Sequence, residues 1–117
     1  MDYTHIIVSR VNVKIAEQSK NEIWLKNRLE ILNRTLRPSI AGQINKNFKF
    51  ITLWGYDPVD CIEGEIPIVI KSTGFTQVFR EVKANILKLV KSDYILMTRV
   101  DSDNCLGDDF VETLQNN

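Results

Sequence analysis

A chain of 117 residues, 44% hydrophobic and 26% charged, has the composition of one soluble globular domain. Its fifteen basic and fifteen acidic side chains cancel, which removes the net field expected of a nucleic-acid or membrane-surface binder. No apolar run approaches the roughly 20 residues of a membrane span. The start, Met1-Asp2-Tyr3-Thr4-His5, lacks the pattern of a signal peptide, so the default location is cytoplasmic.

The elements follow in chain order. His5-Ile6-Ile7-Val8-Ser9 is a β-branched run and predicts a buried first strand. Ser19-Lys20-Asn21-Glu22 fits a capping box, in which the Ser takes an orphan amide and the Glu reaches back. The helix it opens carries Leu25, Leu29, Leu32 and Leu36 on one stripe, and Pro38 is expected to end or kink it. Residues 39–43 extend it briefly. Phe48 to Trp54 predicts the second strand, closed by Gly55 and Asp57-Pro58. Ile66 to Ile70 predicts the third. Pro67 lacks an amide donor and belongs at its start or at a sheet edge. Ser72 or Thr73 is expected to cap a helix with Val78, Val82, Ile86 and Leu89 as its apolar stripe. Tyr94 to Val100 predicts the fourth strand, and Asp108 the N-cap of a last helix.

Strands alternating with helices imply an α/β fold of Rossmann-like βαβ units around a mostly parallel sheet. Right-handed crossovers then bring the ends of strands one, two and four to one edge. Those ends are Ser9-Arg10-Val11-Asn12, Tyr56-Asp57, and Arg99 to Asn104. All three are polar behind apolar strands. The two cysteines, Cys61 and Cys105, have neither metal-ligand nor disulfide-framework spacing and read as free thiols. His5 is the only histidine and reads as a residue at a strand start. Trp24 and Trp54 read as packing residues; Arg80, Lys83, Asn85, Lys88 and Lys91 read as solvated positions around the third helix.

Asp101-Ser102-Asp103 is the most informative motif. Residues i and i+2 of a strand share a face, so both carboxylates are expected together at the carboxyl end of strand four. Open α/β sheets bind their ligands at that edge. Four chemistries fit two carboxylates there. One is a solvated turn, which Asp and Asn favour. A second is an EF-hand loop, with Glu112 at its last ligand position. Leu106, however, stands where the loop needs Gly. A third is a phosphatase-type nucleophile with an acid/base partner, though Cys105 takes the place of its Thr or Val. The fourth is the Asp-x-Asp of nucleotide-sugar-dependent glycosyltransferases, where a divalent ion stabilises a departing nucleoside diphosphate.

Thr98-Arg99-Val100-Asp101-Ser102-Asp103-Asn104, followed by Asp108-Asp109-Phe110-Val111, resembles rhamnosyltransferases and related A-fold inverting glycosyltransferases. Their pattern is roughly Thr-Arg-Leu-Asp-x-Asp-Asp, a short spacer, then Pro-Asp-Phe-Val. Ser9-Arg10-Val11-Asn12 resembles the family's Thr-Arg-Phe-Asn. Trp24, Arg28-Leu29, Pro38-Ser39-Ile40, Gln43 and Phe48 resemble its first helix and the approach to strand two. The similarity is collinear from His5 to Val111.

The resemblance implies a partial glycosyltransferase domain of the GT-A fold that binds a nucleoside-diphosphate sugar with Mn²⁺ or Mg²⁺. It implies that Ser9, Arg10 and Asn12 line the nucleotide pocket and that Asp57 faces the base. Arg99 would orient the carboxylate loop or the diphosphate. Asp101 would lie toward the ribose or metal shell, and Asp103 would hold the metal. Asn104 replaces a third Asp and removes one negative charge beside the ion.

Enzymes of this fold usually continue a hundred residues or more past the motif, into an acceptor half that carries the catalytic base. This chain stops at Asn117, so residues 1–117 are expected to form the donor-binding half. Either the sequence is a fragment of such an enzyme or a partner chain supplies the acceptor half. The other reading is a non-catalytic nucleotide-binding or assembly module, completed by a partner chain or a homodimer through an unpaired sheet edge.

Overall fold

The β-branched N-terminal run forms β1 (Tyr3–Arg10), and the remaining elements follow as α1 (Glu22–Arg34), α2 (Leu36–Ala41), β2 (Lys49–Trp54), β3 (Glu65–Val69), α3 (Phe75–Leu89), β4 (Tyr94–Arg99) and α4 (Phe110–Gln115). The computed structural model describes residues 3–11, 22–55, 57–72 and 74–116, without the side chains of Glu22, Trp24 and Phe75. The capping-box residues 19–21 with the Glu22 side chain, Asn12, Tyr56 and Thr73 therefore lie outside the described residues.

Among the described residues the strands make one four-stranded sheet in the order β3-β2-β1-β4. Every pairing is parallel, with Val8 opposite both Ile51 and Arg99, and Ile51 opposite Ile66. The fold is α/β and Rossmann-like. β1 leads through helices to β2 on one side, whereas the chain returns from β3 through α3 to β4 on the other. The point where the strand order reverses lies between β1 and β4.

Each sheet face has its own core. On one face Ile6, Val8, Ile51, Leu53, Ile68 and Ile70 pack against Val78 and Ile86 of α3, flanked by Val82 and Leu89. On the other, Ile7, Phe50 and Trp54 pack against Leu32, Leu36 and Ile40, with Val111 of α4. The stripes expected from the sequence are the ones that dock.

Three boundaries depart from expectation. Pro38 does not end the first helix. The break falls at Thr35, and Pro38 is the third residue of α2, within the first turn, where a missing amide costs little. Ser72 does not cap α3, because its hydroxyl donates to the Glu81 carboxylate at 2.7 Å; the N-cap is Gly74. The N-cap of α4 is Asp109 rather than Asp108, and no side-chain bond caps it. Pro67 lies within β3, an edge strand, as its missing amide requires.

Candidate functional site

Parallel pairing brings the carboxyl ends of β1, β2 and β4 to a single edge. The ladder runs past the strand ends there. The Val11 amide donates to the Leu53 carbonyl at 2.9 Å and the Val100 amide to the Val8 carbonyl at 3.0 Å. Arg10, Asp57, Arg99, Asp101 and Asp103 are all exposed at or just beyond this edge, the edge at which open α/β sheets take ligands. Asn12 is outside the described residues.

Asp101 and Asp103 lie on a turn and not on the alternating strand. β4 ends at Arg99, and the Asn104 amide donates to the Asp101 carbonyl at 3.1 Å, closing a turn over 101–104 with Asp at its first position. Ser102 points inward, only 1% exposed, while Asp101 and Asp103 face solvent. Among the described residues neither carboxylate has a hydrogen-bond or ion-pair partner.

Two residues of the helical layer hold this loop. The Thr35 hydroxyl, at the break between α1 and α2, donates to the Ser102 carbonyl at 3.0 Å and to the Ile31 carbonyl at 2.7 Å. Gln43 is buried; its amide nitrogen donates to the Gly107 carbonyl, and its oxygen accepts from the Val111 amide at 3.0 Å. The Ile44 amide adds a bond to the Asp108 carbonyl at 2.8 Å. The loop from Asp101 to Asp109 is thus anchored at its start and at its end. Gln43 belongs to the resemblance set out above. Thr35 carries no sequence signal, since its role exists only once the helix breaks beside it.

Ser9, which the resemblance places in the nucleotide pocket, lies at the end of β1 on this edge. It is 0% exposed, and its hydroxyl and that of Ser102 are the buried side-chain polar atoms without a partner among the described residues. Both belong to the edge that carries the carboxylates. A buried orphan hydroxyl is an uncommon cost in a folded protein, and a bound polar group or an ordered water relieves it.

Among the described residues no group of three or more His, Cys, Asp and Glu could hold a metal by itself. Asp101 and Asp103 fit a hard divalent cation that takes one or two carboxylates and completes its shell with phosphate oxygens and water. They do not fit a self-sufficient structural metal centre. A groove of about 190 Å³ lined by Ile40, Phe48, Phe50, Ile62, Gly64 and neighbours lies at the amino-terminal ends of β2 and β3. It is at the opposite edge from the carboxylates, where parallel sheets rarely bind ligands, and the carboxylate edge has the better chemistry.

His5 is buried, and its ring is held at both nitrogens. Nδ1 accepts from the Gln115 amide at 3.0 Å, which leaves Nε2 to donate to the Thr98 hydroxyl at 2.9 Å. Burial lowers its pKa below the usual imidazole value. The ring ties β1 to β4 and α4 and is spent on structure. Trp54 is fully buried, a packing residue as expected, and both cysteines are free thiols.

Comparison of the chain with family models, curated proteins and solved structures gave no match.

Proposed function

We propose that this chain binds a nucleoside-diphosphate sugar through Mn²⁺ or Mg²⁺, as the donor-binding part of a glycosyltransferase, with rhamnosyl transfer the activity its motifs resemble most. The observation that carries the reading is the anchored Asp101–Asn104 turn directly after β4, beside the point where the strand order reverses. The collinear resemblance from His5 to Val111 supports it, and so do the two orphan hydroxyls at that edge.

Asp103, with Asp101 beside it, would hold the cation, and both are exposed with no competing partner among the described residues. Such a cation would supply Lewis-acid stabilisation of a diphosphate leaving group. Arg99 and Arg10 supply guanidinium groups that suit phosphate oxygens. Asp57 would meet the base. Thr35 and Gln43 hold the loop in place before ligand arrives, so less binding energy goes into ordering it.

Thermal denaturation tests the reading. A ligand that binds only the folded state raises the melting temperature by mass action. UDP or dTDP with Mn²⁺ is expected to stabilise the wild type, and Asp103→Ala is expected to abolish that gain while melting normally without ligand. Equal stabilisation of the variant would remove Asp103 from the site.

A second reading, a nucleotide-binding or assembly module without transfer activity, draws support from β4. That strand is an edge of the sheet, and Tyr94, Ile95 and Met97 on it are exposed.

A further inference from the structure

α4 is six residues long, and an isolated helix shorter than about 12 residues is marginal in water. Its seat therefore depends on its anchors. Val111 is buried in the core, and the Gln43 oxygen takes the Val111 amide near the start of the helix. At the other end the anchor is Gln115. Its NH2 group donates to His5 Nδ1 at 3.0 Å and to the Asn47 carbonyl at 2.9 Å, and its oxygen accepts from the Asn45 NH2 group at 3.3 Å.

The polarity of this network is fixed at its far end. The Asn47 backbone amide can only donate, and it donates to the Asn45 side-chain oxygen at 2.8 Å. The Asn45 NH2 group then meets the Glu112 carboxylate at 3.1 Å, which when ionised can only accept. With Asn45 oriented, the Gln115 oxygen must face it and the Gln115 NH2 group must face His5. His5 Nδ1 is therefore an acceptor, and the ring proton sits on Nε2 and goes to the Thr98 hydroxyl at 2.9 Å.

We propose that His5 is an acid-sensitive latch: a proton on Nδ1 reverses the bond that seats the end of α4, and the helix is released together with the end of the loop before it. Both partners would then be donors. Turning the Gln115 amide over does not repair the contact, because its oxygen would face the Asn47 carbonyl and its NH2 group that of Asn45. Thr98 accepts from Nε2 in either state, so the change falls on the α4 side alone. α4 follows the carboxylate loop, whose end is held by the Gln43 bond to the Gly107 carbonyl and the Ile44 bond to the Asp108 carbonyl. The latch stands whether or not the carboxylates hold a nucleotide, since its test uses no ligand.

No charge among the described residues holds the imidazolium in place. His5 lies on the sheet face that α4 covers, with Tyr3 of β1 and Tyr94 of β4 on the same face by strand alternation. Lys49 of β2 and Arg99 of β4 pair with Ile6 and Val8 and take the opposite face. The ionisable group of α4 is Glu112, whose carboxylate takes the NH2 groups of Asn45 and Asn116. In the loop before β2 it is Lys46, whose ammonium goes to the Ala41 carbonyl. None of these bonds the ring. Burial disfavours the charged imidazole while α4 is seated, so opening takes up a proton.

Hydrogen exchange and nitrogen NMR of the full chain from about pH 7.5 to about pH 5 test the latch, a span that brackets the ordinary imidazole value. At neutral pH the ring is expected as the Nε2–H tautomer. The protection of the α4 amides is expected to lie below that of the β1 and β2 amides. It is expected to fall by up to about tenfold per pH unit below about pH 6.5. Gln115→Glu offers Nδ1 a carboxylate in place of the NH2 group, and its α4 protection is expected to rise as pH falls. An Nδ1–H tautomer overturns the proposal. So does α4 protection that does not change over this span, or that equals the protection of β1 and β2 at every pH. A Gln115→Glu protein with the wild-type direction of change contradicts it as well.

Discussion

Arg37 of α2 and Glu65 of β3 form an ion pair inside the protein, with Nε 2.9 Å from one carboxylate oxygen and Nη2 3.0 Å from the other. The two side chains are 2% and 0% exposed. The pair is fully bonded on both sides. The guanidinium also donates to the Asn33 side chain at 2.7 Å and the Val59 carbonyl at 3.0 Å, and lies 5.8 Å over the Trp54 ring. The carboxylate also accepts from the Thr52 hydroxyl at 2.7 Å. Gly64, at φ +84°, makes the left-handed turn that delivers Glu65 inward. The network ties α2, β2 and β3 together.

Removing one partner leaves the other charge buried without compensation. Arg37→Met or Glu65→Leu alone is expected to cost about 3–5 kcal/mol of stability, and the double variant less than the two single losses added together. Urea denaturation of the four proteins measures the coupling. Strict additivity would contradict an interaction between the two residues.

Glu65 also sets an acid limit. Burial alone would raise its pKa, but the bonds from Arg37 and Thr52 outweigh it and hold the carboxyl below the usual range. A depressed folded-state value means that the unfolded chain binds the proton first. The stabilisation is therefore complete above the ordinary glutamate range and is lost as pH falls through the lower, folded-state value. Stability measured against pH is expected to flatten in this acid window when Glu65 and Arg37 are both replaced.

His5 acts in a different window. Burial keeps its imidazole neutral below the usual value. The unfolded histidine takes a proton near pH 6.5, and the folded one only at lower pH. Stability is thus expected to decline as pH falls from about 6.5 toward the folded-state value. His5→Gln is expected to lose that slope. Proton NMR of the single imidazole reads the folded-state value directly.

Cys61 is exposed as a residue, yet its thiol lies against the buried pair, 3.9 Å from an Arg37 nitrogen. Burial first and the Glu65 carboxylate second push its pKa up to about 11. Since the thiolate is the nucleophile, alkylation at neutral pH is expected to be slower than for a free cysteine by about a hundredfold. Iodoacetamide kinetics in a Cys105→Ser background measure it. Ordinary reactivity would mean that the thiol is not held against Glu65.

The loop anchors make a further expectation. Gln43→Leu leaves the Gly107 carbonyl and the Val111 amide without their side-chain partner and is expected to cost about 1–3 kcal/mol. Hydrogen exchange should quicken most around residues 101–111. Uniform quickening across the sheet would assign Gln43 a general packing role instead.

The parallel sheet, its two apolar helix stripes and its polar carboxyl edge were legible in the sequence because periodicity and strand alternation are local. Leu32 with Leu36, and Val78 with Ile86, declare their faces by spacing alone. The helix break at Thr35 was not legible, because Pro38 is tolerated in a first turn as readily as it ends a helix. Nor was the Arg37–Glu65 pair, since two charges 28 residues apart carry no mark of burial. The Asp101 and Asp103 motif was visible, but its geometry was not. Strand alternation suggested a shared face, whereas the two residues lie on a turn closed by the Asn104 amide. Ser9 read as a polar strand end, and only the packed structure identifies its hydroxyl as an orphan.

The most direct measurement is calorimetric titration of UDP and of dTDP into the protein with Mn²⁺ present, on the wild type and Asp103→Ala. Binding that requires the metal and weakens by about tenfold or more in the variant, a loss of roughly 1.4 kcal/mol, is the expected result. No heat from either nucleotide with Mn²⁺ or Mg²⁺, at protein concentrations where the fold is intact, would contradict a nucleotide-sugar site at the carboxyl edge of β4.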